Sequence, residues 1–210
     1  SAASDVYKRQ DLKSGKTPVM VLHGGPGAAH NYVIAIAQQI AASGRPAVLY
    51  DQIGCGNSTH LTEKPSEFWT PELFMHELEL LTKHLGIESG YAIVGQSWGG
   101  MLGMQFAIGN PSGLKALVVA DSPASMEVWV SEANRLRSQL PPEIENTLKH
   151  HESNGTTDSP EYEAAVNKFY ERHVCRVPMP KDVTDSFDQI KLDPTVYHTM
   201  NGPSEFFVAV

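Results

Sequence analysis

The sequence predicts an α/β fold: a mostly parallel sheet with helices on both faces and a helical insertion after the fourth strand. Three observations carry this. Four short apolar runs lack the alternation of a half-exposed strand. Helical patterns separate them. Each run stops at a polar or glycine-rich turn. Strands buried on both faces belong to parallel sheets, whose crossovers are helices.

The elements follow in order. The opening SAASDVYKRQ has no clear periodicity, does not read as a strand pair, and lacks the apolar core of a signal peptide. TPVMVLH (17–23) is an apolar run after a proline, followed at once by glycines, and reads as the first buried strand. HNYVIAIAQQIAASG (30–44) is a helix closed by Gly44. RPAVLYD (45–51) is the second strand, with a loop in its Asp-Gln-Ile-Gly-Cys-Gly tail. The helix 70–86 has Thr70 as N-cap, Pro71 at its first position and Gly86 past its end. Phe74, Leu78, Leu81 and Leu85 give it one apolar face. YAIVGQS (91–97) is the third strand, and the helix 98–111 ends at Asn110-Pro111. LKALVVADSP (114–123) holds the fourth strand.

After Pro123 three helix-like stretches follow with no strand between them: EVWVSEANRLRSQL, PPEIENTLKHHE and SPEYEAAVNKFYERHV. The expected organisation is a core over 11–123, a helical cap over 124–197 and a return segment over 198–210. No internal repeat or low-complexity tract is visible.

Composition narrows the function classes. The chain is 210 residues long, 41% hydrophobic and 19% charged, as expected of a globular protein. A net charge of −8 without a basic stripe argues against nucleic-acid binding. No apolar run reaches the ~18–20 residues of a membrane span. Two cysteines, Cys55 and Cys175, make no disulfide framework and no zinc pattern. They read as free thiols in a reducing compartment, so the expected location is cytoplasmic. No metal and no organic cofactor is implied, and the oligomeric state is open.

GQSWGG (95–100) matches the G-x-S-x-G pattern of a nucleophile on a strand-to-helix turn, with an apolar strand before it and a helix after it. Residues flanking such a turn must be small where strand and helix approach. Ser97 then projects its hydroxyl near a helix N-terminus, which favours negative charge. HGGPG (23–27) supplies the complement: Gly24 or Gly25 turns a backbone N–H toward the site, and the N–H of Trp98 gives a second oxyanion donor. One such donor is worth roughly 3–4 kcal/mol in the transition state. His23 precedes the serine, the wrong side for this fold's triad order, and reads as a loop-organising residue.

With HGGPG (23–27), DQIGCGNS (51–58), GQSWGG (95–100) and NGPSEF (201–206) in this order, the sequence resembles the α/β-hydrolase fold. More narrowly it resembles the proline iminopeptidase family of serine peptidases, which also holds L-amino acid amidases. The resemblance runs from about Asp11 to the end; where the family commonly has Asp-Gln-Arg-Gly, this chain has Ile53. It implies Ser97 as nucleophile, with Gly25 (or Gly24) and Trp98 as oxyanion donors. It makes 124–197 a cap, and Glu205 the carboxylate that binds a substrate's free α-amino group. Gly24 and Glu205 are thus the candidate substrate-binding residues, and the substrate is a small peptide or an amino-acid amide. An ammonium entering a closed site does need a carboxylate partner. Asp51 and Gln52 read as organisers of the loop beside the site. Cys55 is either a small structural residue or a thiol facing the substrate.

The triad order of this fold is serine, acid, histidine. After Ser97 come His150, His151 and His173 on cap stretches, and His198 just before NGPSEF. None matches the family's histidine, which follows the last core strands. Asp121, at a strand end, orients a histidine in some relatives of the fold but not by this family's pattern. The expectation is a chain truncated at its C-terminus, without the last core strands, the triad acid and the base, and so inactive or weak. Two other readings stand beside it: an esterase or lipase-like hydrolase, and a non-catalytic fragment.

Overall fold

The computed structural model describes residues 4, 6–9, 12 and 14–208. Asp11, Ala209 and Val210, at the edges of the expected core and return segments, lie outside the described residues. The chain divides into two compact units. One holds the residues up to Ala124 together with Lys181–Met200, the other Ser125–Pro180 together with the residues from Asn201 on.

Among the described residues, the first unit is built on five strands: β1 (Val6–Arg9), β2 (Val19–Leu22), β3 (Ala47–Tyr50), β4 (Tyr91–Gln96) and β5 (Leu114–Ala120). They lie in the order β1-β3-β2-β4-β5. β1 is antiparallel to β3 and every other pairing is parallel. β1 corrects the sequence reading, which found no strand in that stretch. Four residues at a sheet edge carry too short a pattern to be read alone.

The pleat sends alternate residues of each strand to opposite faces. Val19, Val21, Ala47 and Leu49 pack with Val33 and Ala37 on one face, under helix α1 (Ile34–Ala42). Met20, Leu22, Val48, Tyr50 and Ile93 pack on the other, under α2 (Pro71–His84) and α3 (Trp98–Ile108). Phe74, Leu78 and Leu81 of α2 are buried as their spacing predicts. Each such side chain contributes about 2–3 kcal/mol. Thr70 caps α2, accepting from the Leu73 N–H.

β5 departs from the expected buried strand. It lies at the end of the sheet order, and Val118 and Val119 are 53% and 41% exposed.

In the second unit, α4 (Met126–Arg137), α5 (Pro142–Asn154) and α6 (Pro160–His173) coincide with the three helical stretches read from sequence. Ser125 and Ser159 cap α4 and α6. Leu148, Tyr162, Val166, Phe169 and Phe206 form a core of their own.

Two further helices, α7 (Lys181–Leu192) and α8 (Thr195–Met200), begin inside the expected cap region but pack in the first unit, α8 running on into the expected return segment. Ile190, Phe187 and Tyr197 contact Ala28 and Tyr32, and Ser186 Oγ donates to the Ala29 carbonyl. Among the described residues, no helix is long and apolar enough to cross a membrane.

Candidate active site

The carboxyl ends of β2, β3 and β4 lie side by side, so the loops after them meet. This is where open parallel sheets place their sites. Ser97 follows β4 and precedes α3, with φ 55° and ψ −124°. A positive φ is rare for a residue with a Cβ and marks a strained turn. The neighbouring glycines make the turn possible. A Cβ on Gly95 would lie 2.2 Å from the Gly99 carbonyl oxygen, and one on Gly99 would lie 2.3 Å from that of Leu22.

The HGGPG loop lies against this turn: a Cβ on Gly24 would come within 2.9 Å of Ser97 Cβ. The Gly24 N–H, however, donates to the Tyr32 hydroxyl at 2.5 Å, and that hydroxyl donates to Gln96 Oε1. Gly25 adopts φ 114°, open only to glycine without strain. Trp98 opens α3, so its N–H has no partner within the helix.

His23 is fully buried, and both ring nitrogens are engaged. The Gln52 N–H donates to Nε2 at 3.1 Å, so Nε2 must accept. The proton therefore sits on Nδ1, which donates to the Gly24 carbonyl at 2.9 Å. Burial lowers the His23 pKa, against the pull of the Gly24 hydrogen bond, and favours this neutral form. The Gln52 side chain donates to the His23 carbonyl at 3.0 Å and accepts from the Trp98 indole at 2.9 Å.

Asp51 is buried beside this loop. It accepts from the His30 N–H and Nδ1, each at 2.9 Å, and from the Asn57 N–H at 3.0 Å. Burial pushes its carboxyl up, but these hydrogen bonds outweigh burial and hold it below the ordinary value. Cys55 is buried in the core, and burial beside Glu77 pushes its thiol well up, which keeps it protonated and inert.

Glu77 of α2 was not singled out from sequence. It accepts from the Ile53 N–H at 2.9 Å and from the Ser4 hydroxyl. Burial pushes its carboxyl up to about 7, with the two hydrogen bonds pulling the other way. No sequence signal distinguishes it from the other glutamates of α2. Tyr32 was likewise missed.

The histidines with hydrogen-bonded rings are committed elsewhere. His30 pairs with Asp51, His60 with Asp193 and the Gly56 carbonyl, His150 with Asn154, and His151 with Thr156 and Ser159. Glu205 belongs to the second unit. Its N–H donates to the Tyr170 hydroxyl at 3.2 Å, and its carbonyl accepts from the Trp129 indole at 2.7 Å. Among the described residues, no three His, Cys, Asp or Glu side chains gather as a metal site.

Residues 17–205 match the family described as alpha/beta hydrolase fold. The chain is 35% identical over 194 residues to a proline iminopeptidase of Lactobacillus delbrueckii subsp. lactis, which covers 91% of this chain and 65% of that protein. It thus spans slightly less than two thirds of that relative's length. The crystal structure of VinJ superposes with a TM-score of 0.96 at 51% identity, covering 99% of this chain and 70% of that one. That of the proline iminopeptidase of Mycobacterium smegmatis superposes with a TM-score of 0.85 at 47% identity, covering 100% and 73%. With a strained serine turn on a mostly parallel sheet and these matches, the chain belongs to the α/β-hydrolase family, in the group of the proline iminopeptidases.

Proposed function

We propose that these residues form the nucleophile half of a serine hydrolase that releases an N-terminal amino acid such as proline from small peptides or amino-acid amides. The observation that supports this best is Ser97 at positive φ on the strand-to-helix turn, with the HGGPG loop against it. Ser97 Oγ attacks the carbonyl carbon and gives up its proton to a base. The carbonyl oxygen becomes an oxyanion that takes hydrogen bonds from the Gly25 and Trp98 N–H groups. The intermediate collapses, the amine leaves with a proton, and the acyl group remains on Ser97. Water then attacks this ester and frees the amino acid. The Glu205 carboxylate receives the substrate's α-ammonium, and 124–197 serves as the cap. The chemistry needs no metal or organic cofactor, and the expected compartment is the cytoplasm.

The scheme requires a base, and none of the four histidines after Ser97 holds the family's position for it. Loss of one triad member costs about 10⁶ in rate in a well-studied protease, leaving about 10³–10⁴ over water. The 210-residue chain on its own is therefore expected to turn over slowly.

The test is release of arylamine from prolyl and alanyl arylamides by the purified chain and by Ser97→Ala. Slow release that Ser97→Ala abolishes supports the reading. Fast Ser97-dependent release would place a base within these residues. Release that persists in Ser97→Ala would overturn the assignment of the nucleophile.

A further inference from the structure

We propose that Gln52 is the positioning residue that holds both oxyanion donors in place for acyl transfer at Ser97. The proposal rests on the serine-hydrolase reading above. It starts from the sheet order: β3, β2 and β4 are neighbours, and Gln52 stands just past the end of β3. From there this one buried residue makes three hydrogen bonds, to the ends of both other strands.

The first branch runs to Gly25. The Gln52 main-chain N–H forces Nε2 of His23 to accept, which puts the ring proton on Nδ1. Nδ1–H then holds the Gly24 carbonyl. That carbonyl and the Gly25 N–H share one planar trans peptide unit, so fixing the oxygen fixes the direction of the N–H opposite it. The Gln52 side chain adds a second restraint one peptide earlier, at the His23 carbonyl. The Tyr32 hydroxyl takes the Gly24 N–H, so the donor set by this branch is Gly25.

The second branch runs to Trp98. Its indole donates to Gln52 Oε1, anchoring the residue whose N–H opens α3. The indole can only donate and the His23 carbonyl can only accept, so the side chain between them needs one acceptor end and one donor end. A primary amide meets both demands. A carboxylate meets only the first, and an aliphatic group meets neither. A buried amide tied at both ends sets the spacing of its two partners without touching substrate.

Positioning errors of about 1 Å can cost on the order of a hundredfold in rate. Gln52→Leu is therefore expected to lower kcat about ten- to a hundredfold while KM stays within about twofold. Gln52→Glu keeps the bond from Trp98 and is expected to fall between Gln52→Leu and the parent. Trp98→Phe removes the indole donor alone, and its effect should shrink when Gln52 is already Leu. The amide ¹⁵N signals of Gly25 and Trp98 are read in the same samples. In Gln52→Leu both should move, while those of α1 stay.

An unchanged kcat with a raised KM, additive losses in the double variant, or unmoved Gly25 and Trp98 signals would overturn the proposal. If release persists in Ser97→Ala while both signals move in Gln52→Leu, the acyl-transfer reading fails and the tie through Gln52 is upheld.

Discussion

Glu152 grips Arg137 through both of its terminal nitrogens, at 2.7 Å each. Glu145 takes the remaining Nε–H at 2.8 Å, and the guanidinium lies 5.2 Å from the centre of the Phe206 ring. Burial alone would lower the Arg137 pKa, but the two carboxylates more than reverse this. The Tyr162 hydroxyl donates to the same Glu152 and meets Ser204 Oγ. One buried cation thus joins α4 and α5 to the segment that carries Glu205.

Removing one member of a buried pair strands the other charge, which costs about 3–5 kcal/mol. Arg137→Ala is expected to destabilise the second unit by that amount. Urea unfolding followed through Trp129, which lies in this unit, reads it. A loss below about 1 kcal/mol, the range of an exposed pair, would show that the cluster is solvated.

Glu77 gives the stability a pH dependence. Folded, its carboxyl keeps a proton up to about pH 7; unfolded, it releases the proton near the ordinary value of 4.5. The folded state therefore binds more protons between these values, and stability falls as pH rises through that window. Glu77→Gln keeps an acceptor for Ile53 and removes the titration. It should exceed the parent by up to about 3 kcal/mol near pH 8, and the gap should close near pH 4.5. Denaturant titrations at the two pH values test this; a pH-independent gap would rule it out.

Replacing Glu205 separates the proposed amine anchoring from general damage. Glu205→Ala should raise KM for prolyl and alanyl arylamides about a hundredfold or more, as an ammonium loses its charged partner. Simple nitrophenyl esters without a free amine should lose less than about threefold. Equal losses on both would favour an esterase that uses Glu205 only as scaffold.

Two glycines divide steric from conformational demand. Gly86 has φ +67° and nothing within 4 Å of a Cβ, so Gly86→Ala should cost only the left-handed penalty of about 1–2 kcal/mol. Gly99→Ala would press a methyl against the backbone of β2 and the loop after it, at the Leu22 and His23 carbonyls. It should cost about 3 kcal/mol or more. Thermal unfolding of the pair checks the order, and a smaller loss for Gly99→Ala would contradict the close approach.

Much of this architecture was legible from local pattern. Val19–Leu22, Ala47–Tyr50 and Tyr91–Gln96 stand within the runs read as strands. Thr70 and Gly86 bound α2 as capping chemistry requires. The tight turn at Ser97 was legible in the glycines around it, which let strand and helix approach closely. What escaped depends on neighbours distant in sequence. β1 is a strand because β3 is beside it. α7, with three aspartates among twelve residues, looks solvated until Ile190 meets Tyr197. Val118 and Val119 read as core but have little covering them. Glu77 looks like any surface glutamate of α2 until the Ile53 N–H is found against it. Gln52 was legible as a loop organiser, but the span of its amide from His23 to Trp98 was not.

The sheet order also sets when this centre can exist. Its ties join residues 29, 46 and 64 positions apart: Gln52 with His23, Trp98 with Gln52, and Tyr32 with Gln96. Closing loops of this length costs chain entropy before any contact returns it, so parallel pairings of this kind come slowly. During synthesis nothing before Trp98 can assemble the arrangement, because the partner closing the β3–β4 span has not yet been made. Until then Gln52, His23 and the glycine loop belong to an open chain, and the strained serine has no reason to adopt its turn. Exchange of the Trp98 indole proton should therefore track cooperative opening of the whole first unit rather than local breathing of a loop.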